Sequence, residues 1–162
     1  MTETTYTDAE LLAEKARSLD GLEFLRLVAD GQLPPAPVGA LLGMRVTEVE
    51  LGRVVFELVP TEQHYNPIGG VHGGVYATLL DSACGCAVQS MLPAGARYTS
   101  LDLTVKFVRG LTAASGPVRA IGTVTHLGRR TALANAELRD QQDRLCATAV
   151  SSLLILRDEA ER

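Results

Sequence analysis

Tryptophan is absent, and only three Phe and four Tyr are spread over the 162 residues. A protein that binds nucleic acid usually shows a basic face interleaved with aromatic rings on which bases stack. Here the net charge is −4. The acidity is local, because residues 1–30 hold seven acids against three bases whereas residues 31–156 hold nine against ten. The near-neutral body carries no sign of a nucleic-acid partner. Long apolar runs are also missing: none approaches the roughly 18–20 residues of a membrane span. The opening MTETTYTDAELLAEK places acids where a secretory signal would place bases. The expectation is a cytoplasmic protein with no membrane partner. The three cysteines, Cys84, Cys86 and Cys146, form no CxxC pattern and read as small reduced core residues. With His64, His72 and His126 scattered, no set of about four zinc ligands is visible, so no metal is expected.

What the chain does have is apolar material. At 46% hydrophobic residues, 162 residues suit a single domain with a real core. Residues 8–30 place Leu11, Leu12, Ala16, Leu19, Leu22, Leu25 and Val28 among charges at near-helical spacing, predicting one or two amphipathic helices. The stretch Gly31 to Pro37 then interrupts any helix. Alternation over Met44–Leu51 and Val54–Val59, broken at Gly52-Arg53, reads as a hairpin. Pro60 to Gly70 is a long loop.

Residues 74–90 are apolar almost all round, which predicts a buried helix of roughly five turns. Gly85 inside it costs about 1 kcal/mol relative to Ala and suggests that another element passes close by. After a loop at Leu92–Gly95, Leu101–Phe107 alternates as a strand. Val118–His126, Thr131–Asp140 and Arg144–Leu156 follow as an antiparallel meander. Two strands, one buried helix and four strands fit the α+β hot-dog fold, a curved antiparallel sheet wrapped around one long central helix, with an N-terminal helical extension. The organisation expected is an extension and Pro-rich linker over 1–36, a hot-dog domain over 37–157 and a charged tail at 158–162.

Asp81 falls in the middle of the predicted helix among Leu79, Leu80, Ala83 and Cys84, where an unpaired carboxylate would cost several kcal/mol of desolvation. A hydrogen-bonded core Asp would satisfy that pattern without any function. Alone, Gly73-Gly74 is a tight turn and His72 a loop histidine bonded to backbone. Together with Asn66 they bring unshielded amides to the start of a helix, where N–H groups lack internal partners and the dipole is positive. That end can polarise a carbonyl as it gains charge, and Asp81 supplies a base or nucleophile; hydrolysis needs both.

Asn66-Pro67, Val71-His72-Gly73-Gly74, Asp81 and Gly128-Arg129-Arg130-Thr131 resemble the hot-dog acyl-CoA thioesterases of the phenylacetate-degradation (PaaI) type, over about residues 40 to 156. The resemblance implies hydrolysis of aryl or medium-chain acyl-CoA, without metal or organic cofactor, by a homodimer or a homotetramer built from dimers. It further implies that the Gly73 N–H polarises the thioester carbonyl and that Asp81 acts as nucleophile or general base. Asn66 and His72 would organise the site, Thr99 or Ser100 would complete it, and Gly74 would help bind substrate. Arg129 and Arg130, in a predicted turn, offer planar forks of donors suited to the phosphates of CoA. Arg109-Gly110 departs from the Arg-Pro of many relatives, and residues 1–30 exceed the usual family start.

Two other readings share the fold: an enoyl-CoA hydratase or acyl-carrier-protein dehydratase, disfavoured by the His-Gly-Gly and helical Asp81 arrangement, and a non-catalytic acyl-CoA binding domain. Helical rise places Asp81 well down the helix from Gly73, so a site using both is expected to lie between two chains.

Overall fold

The structure, a computed structural model, describes residues 6–157. The tail at 158–162 lies outside the described residues. Two helices, α1 (Tyr6–Ser18) and α2 (Gly21–Ala29), occupy the predicted amphipathic stretch. A short α3 (Pro37–Leu42) follows that the proline punctuation had hidden. Proline at the first helical position has its fixed φ ready for the helix and no N–H to leave unpaired.

The hairpin is β1 (Arg45–Glu50) and β2 (Arg53–Leu58), turning at Gly52, whose φ of +76° is left-handed. The buried helix α4 spans Gly73–Gln89, one residue earlier than its apolar pattern suggests. Then come β3 (Ala96–Ser100), β4 (Thr104–Phe107), β5 (Val118–Leu127), β6 (Thr131–Arg139) and β7 (Leu145–Arg157). The antiparallel sheet runs β1-β2-β5-β6-β7-β3, with β4 also on β7. The long helix lies against the sheet, packing on β2, β5, β6, β7 and β3 in the hot-dog arrangement.

One strand differs from expectation. The predicted Leu101–Phe107 strand is two pieces: β3 pairs with Leu153–Arg157 and β4 with Ala147–Val150 of the same β7 edge. At the break, Asp102 Oδ1 accepts from the Ser152 N–H at 3.0 Å, and its carbonyl accepts from Ser151 Oγ at 2.8 Å. Asp102 therefore holds the interrupted ladder together. The segment Ala96–Ser100, short and mostly polar, carries no strand pattern of its own; as an edge strand it needs little apolar content.

Leu79, Leu80, Val88, Leu138 and Leu153 are sealed from solvent in the core, each contributing about 1.5–3 kcal/mol by burial. Two glycines permit the close approach. A Cβ at Gly122 of β5 would strike the Ala83 carbonyl of α4, and one at Gly85 would strike the Tyr98 hydroxyl. The helical glycine is thus explained by β3 passing over it.

Candidate active site

Asn66 begins a tight loop. Its Oδ1 accepts from the N–H groups of Ile68 at 3.1 Å and Gly70 at 3.2 Å, while its own N–H donates to the Gly70 carbonyl at 2.7 Å. This Asx-type closure shapes the approach to α4. His64, earlier in the loop, is buried: Nδ1 accepts from the Thr61 N–H and Nε2 meets the Leu42 carbonyl at 3.1 Å. With both ring nitrogens engaged, His64 is a structural brace.

His72 is the N-cap of α4. Its Nδ1 accepts from the Gly74 N–H at 2.8 Å and its carbonyl from the Val75 N–H at 2.9 Å. That arrangement consumes the Gly74 amide and leaves Gly73 as the first helical residue. Among the described residues, no acceptor meets the Gly73 N–H. Gly73 lines a cleft of about 300 Å³ bordered also by Val71, Tyr76, Phe107 and Arg109. The Phe107 ring stands over it, so that a Cβ on Gly73 would lie 3.2 Å from Cζ. Tyr76 fixes that ring edge-on, at 5.6 Å between centroids, and donates its hydroxyl to the Arg109 carbonyl at 3.1 Å. The Gly110 departure lies on this rim and leaves that bond in place.

Asp81 lies two turns further along α4 and is half-buried. Ser100 Oγ donates to its Oδ1 at 2.9 Å. Successive side chains of a strand point to opposite faces. Tyr98 and Ser100 therefore share the helix-facing side of β3, while Thr99 points away. Of the two hydroxyls, that of Ser100 is the one that meets Asp81. Its bond occupies one carboxylate oxygen, and among the described residues no donor meets the other.

The thiols nearby are not rivals to the carboxylate. Burial pushes Cys84 up to about 12, helped by the negative charge of Asp81. Burial likewise carries Cys86 to about 12, against a hydrogen bond with Tyr98 that lowers it, and again with Asp81 raising it. A thiol with so high a pKa has almost no nucleophilic thiolate at neutral pH. Burial also raises Tyr98 well above its ordinary value, with Cys86 and Asp81 adding to the effect. Among the described residues, no three His, Cys, Asp or Glu side chains cluster closely enough to hold a metal ion. No helix among them is long and apolar enough to cross a membrane.

Arg129 and Arg130 are exposed in the β5–β6 turn, far from Asp81 in sequence. Strand register places them. The Ile155 N–H donates to the Arg130 carbonyl at 2.8 Å, and Ile155 pairs with Tyr98 on its other side. Arg130 therefore sits at the level of Tyr98, two strand spacings away, about 10 Å.

One protomer does not unite all these groups. Gly73 and Asp81 are eight residues apart on one helix, about 12 Å of rise. Asp81 lines a separate, larger cavity shared with α1, α2 and the proline-rich linker. Nothing in the residue pattern pointed to that cavity, because its walls come from segments distant in sequence.

Comparison with known proteins agrees with this architecture. The Thioesterase superfamily profile matches residues 68–147, a stretch that holds His72, Gly73, Asp81 and the β5–β6 turn. The 1,4-dihydroxy-2-naphthoyl-CoA hydrolase of Listeria monocytogenes is 25% identical over 104 residues, covering 64% of this chain and 83% of that protein. A thioesterase family protein from Silicibacter pomeroyi superposes with a TM-score of 0.73 at 26% identity, over 83% of this chain and 99% of that one. The Escherichia coli PaaI protein from the phenylacetic acid degradation operon superposes with a TM-score of 0.73 at 24% identity, over 86% and 96% of the two chains.

Proposed function

From a hot-dog fold that resembles the thioesterases in sequence as well as in shape, we propose that this protein hydrolyses acyl-CoA thioesters, with Asp81 as the reacting carboxylate. The observation that carries the proposal is the Ser100–Asp81 hydrogen bond. A half-buried carboxylate in an apolar helix is oriented by one hydroxyl and lines a cavity.

In the reaction, the Gly73 N–H donates a hydrogen bond to the thioester oxygen as it gains negative charge, aided by the positive end of α4. Asp81 then either takes a proton from water, whose oxygen adds to the carbonyl carbon, or attacks that carbon itself. The carbon–sulfur bond breaks, the sulfur leaves with its electron pair and takes up a proton, and water supplies the oxygen of the released acid. In the second route, water cleaves the acyl–Asp81 anhydride. The interval between Gly73 and Asp81 exceeds the roughly 3–3.5 Å at which reacting atoms meet, so each site takes Gly73 from one protomer and Asp81 from its partner. Asn66 and His72 hold the Gly73 end, and Arg129 and Arg130 meet the CoA phosphates.

The test is release of free thiol from a panel of short, medium, long and aromatic acyl-CoAs, read with a chromogenic disulfide. Activity that disappears in Asp81→Asn supports the reading. Hydration of crotonyl-CoA without thiol release would move the protein to the hydratases. Tight acyl-CoA binding with no turnover of either kind would make it a binding domain.

A further inference from the structure

The open cavity that Asp81 lines has a volume of about 910 Å³, near the upper end of the roughly 300–1,000 Å³ of small-molecule sites. Its polar lining groups, Arg45, Thr47, Asp81, Ser82, Cys86 and Tyr98, all come from β1, α4 and β3. Every lining residue that precedes Gly43 lacks a polar side-chain atom, and these make up most of the wall. They include Leu12 and Ala16 of α1, Phe24 and Val28 of α2, and Pro34 and Ala36 of the linker.

The wall is built in, and not a loose appendage. The Gly21 N–H donates to the Leu92 carbonyl at 3.0 Å, and the Gly95 N–H donates to the Arg17 carbonyl at 2.9 Å. Both ends of the α1–α2 connection are thus tied to the loop between α4 and β3. Leu25 is 3% exposed and belongs to the main core. An anchored apolar wall along so large a space, with one carboxylate among the lining residues, suits a ligand that is reactive at one end and hydrocarbon at the other.

We infer that residues 9–39 form the acyl-chain pocket of this protein, and that the pocket selects medium-length aliphatic acyl groups over short or hydroxylated aromatic ones. The inference rests on the thioester reading for the ligand's head group. An acetyl group would leave most of the cavity unfilled and would gain little from burial. Each added methylene would gain about 0.8 kcal/mol, or about fourfold in affinity, until the pocket is full. A ring hydroxyl would lose its water without meeting a polar side chain on the inner wall, and an unpaired buried polar group is penalised.

The probes are S-alkyl-CoA thioethers from S-ethyl to S-decyl, which bind without being cleaved, measured by calorimetry on the full chain. The expected result is a Kd that falls by about a hundredfold or more across the series, given a gain of up to fourfold per methylene. In Ala16→Trp, which fills the cavity from α1, the ratio of the S-ethyl to the S-decyl Kd should shrink by about fifteenfold, the loss of two methylenes' worth of contact. Ala13→Phe, on the same wall, is the second variant, and a cooperative melting transition certifies each fold. A wild-type Kd that is flat across the series, or a ratio unmoved in both folded variants, overturns the pocket. Decanoyl-CoA cleavage alongside a flat Kd would leave the hydrolase standing and remove the pocket. Chain-length-dependent binding without cleavage would keep the pocket and remove the hydrolase.

Discussion

Gly73 and Asp81 lie on the same helix yet line different cavities, Gly73 beneath Phe107 and Asp81 beside the N-terminal helices. Helical geometry holds them about 12 Å apart along the axis, so side-chain motion cannot close the gap within one protomer. If both groups serve the proposed reaction, they act together only across an interface between two chains, with two equivalent sites per two-fold pair.

Mixed dimers test that arrangement. An Asp81→Ala chain co-expressed with an Asn66→Ala chain under a second tag, then purified through both tags, should regain one of its two sites and up to about half of the wild-type rate, as two-fold symmetry dictates. Doubly tagged dimers as inactive as either parent would show that Asp81 finds its partners within its own chain.

Asp81→Ala and Asp81→Asn should each lower kcat by about 10²–10⁴-fold while leaving KM near its wild-type value, because the carboxylate acts in the transition state. Ser100→Ala should cost less, about 10- to 100-fold, since it removes one hydrogen bond to a charged group. Thr99→Ala, on the outward face of β3, should leave kcat near wild type. Steady-state thiol release on all four variants is the measurement. A Thr99 loss exceeding the Ser100 loss would contradict the observed register.

Arg129→Ala combined with Arg130→Ala should raise KM for acyl-CoA and spare the matching acyl-pantetheine, which lacks the nucleotide phosphates. Added salt should weaken the wild type in the same way, because exposed charges are screened within about 8–10 Å at physiological ionic strength. Equal effects on the two substrates would place the arginines elsewhere in the protein's business.

Asp140 closes the β6–β7 turn from inside the protein, at 2% exposure. Burial alone would raise its pKa. The N–H of Arg144, its guanidinium and the N–H of Gln142 outweigh that effect and hold the carboxyl below its ordinary value. A depressed folded pKa means that this contribution is complete above the unfolded value of about 3.9 and fades as pH falls through the folded value. Melting temperature followed from pH 6 down to pH 2 should therefore drop more steeply in the wild type than in Asp140→Asn, which starts lower. Parallel curves would show that the turn does not depend on the ionised carboxylate.

Gly85→Ala should destabilise by about 1–3 kcal/mol through overpacking against Tyr98. Pairing it with Tyr98→Leu should recover part of the loss, because the two changes share one contact and are not additive. Denaturant melts of the two single variants and the double variant decide it. Strict additivity would mean that the clash is relieved elsewhere.

Much of this molecule is local in origin. The all-round apolar character of residues 74–90 calls for a buried helix whatever surrounds it, and the breaks near Gly128 and Gln142 divide the last three strands. The His72-Gly73-Gly74 run marks a helix start because His72 caps it within two residues. A carboxylate at position 81 is conspicuous in such a helix for the same local reason, the cost of an unpaired charge.

Other features depended on segments brought together from afar. Alternation marked Leu101–Phe107 as one strand, but pairing with β7 splits it, and the Asp102 side chain that bridges the break has no signal in its neighbours. Thr99 and Ser100 are equivalent as sequence; the register of β3 on β7 turns one toward Asp81 and the other away. The cavity wall required α2 to fold back onto β1 and α4, and α1 onto α2, a matter of shape between distant segments. Residue order determined the elements and the charged group that stands out in one of them. Tertiary packing decided which hydroxyl orients it and what space it faces, because facing is a property of pairs of elements and periodicity describes only one.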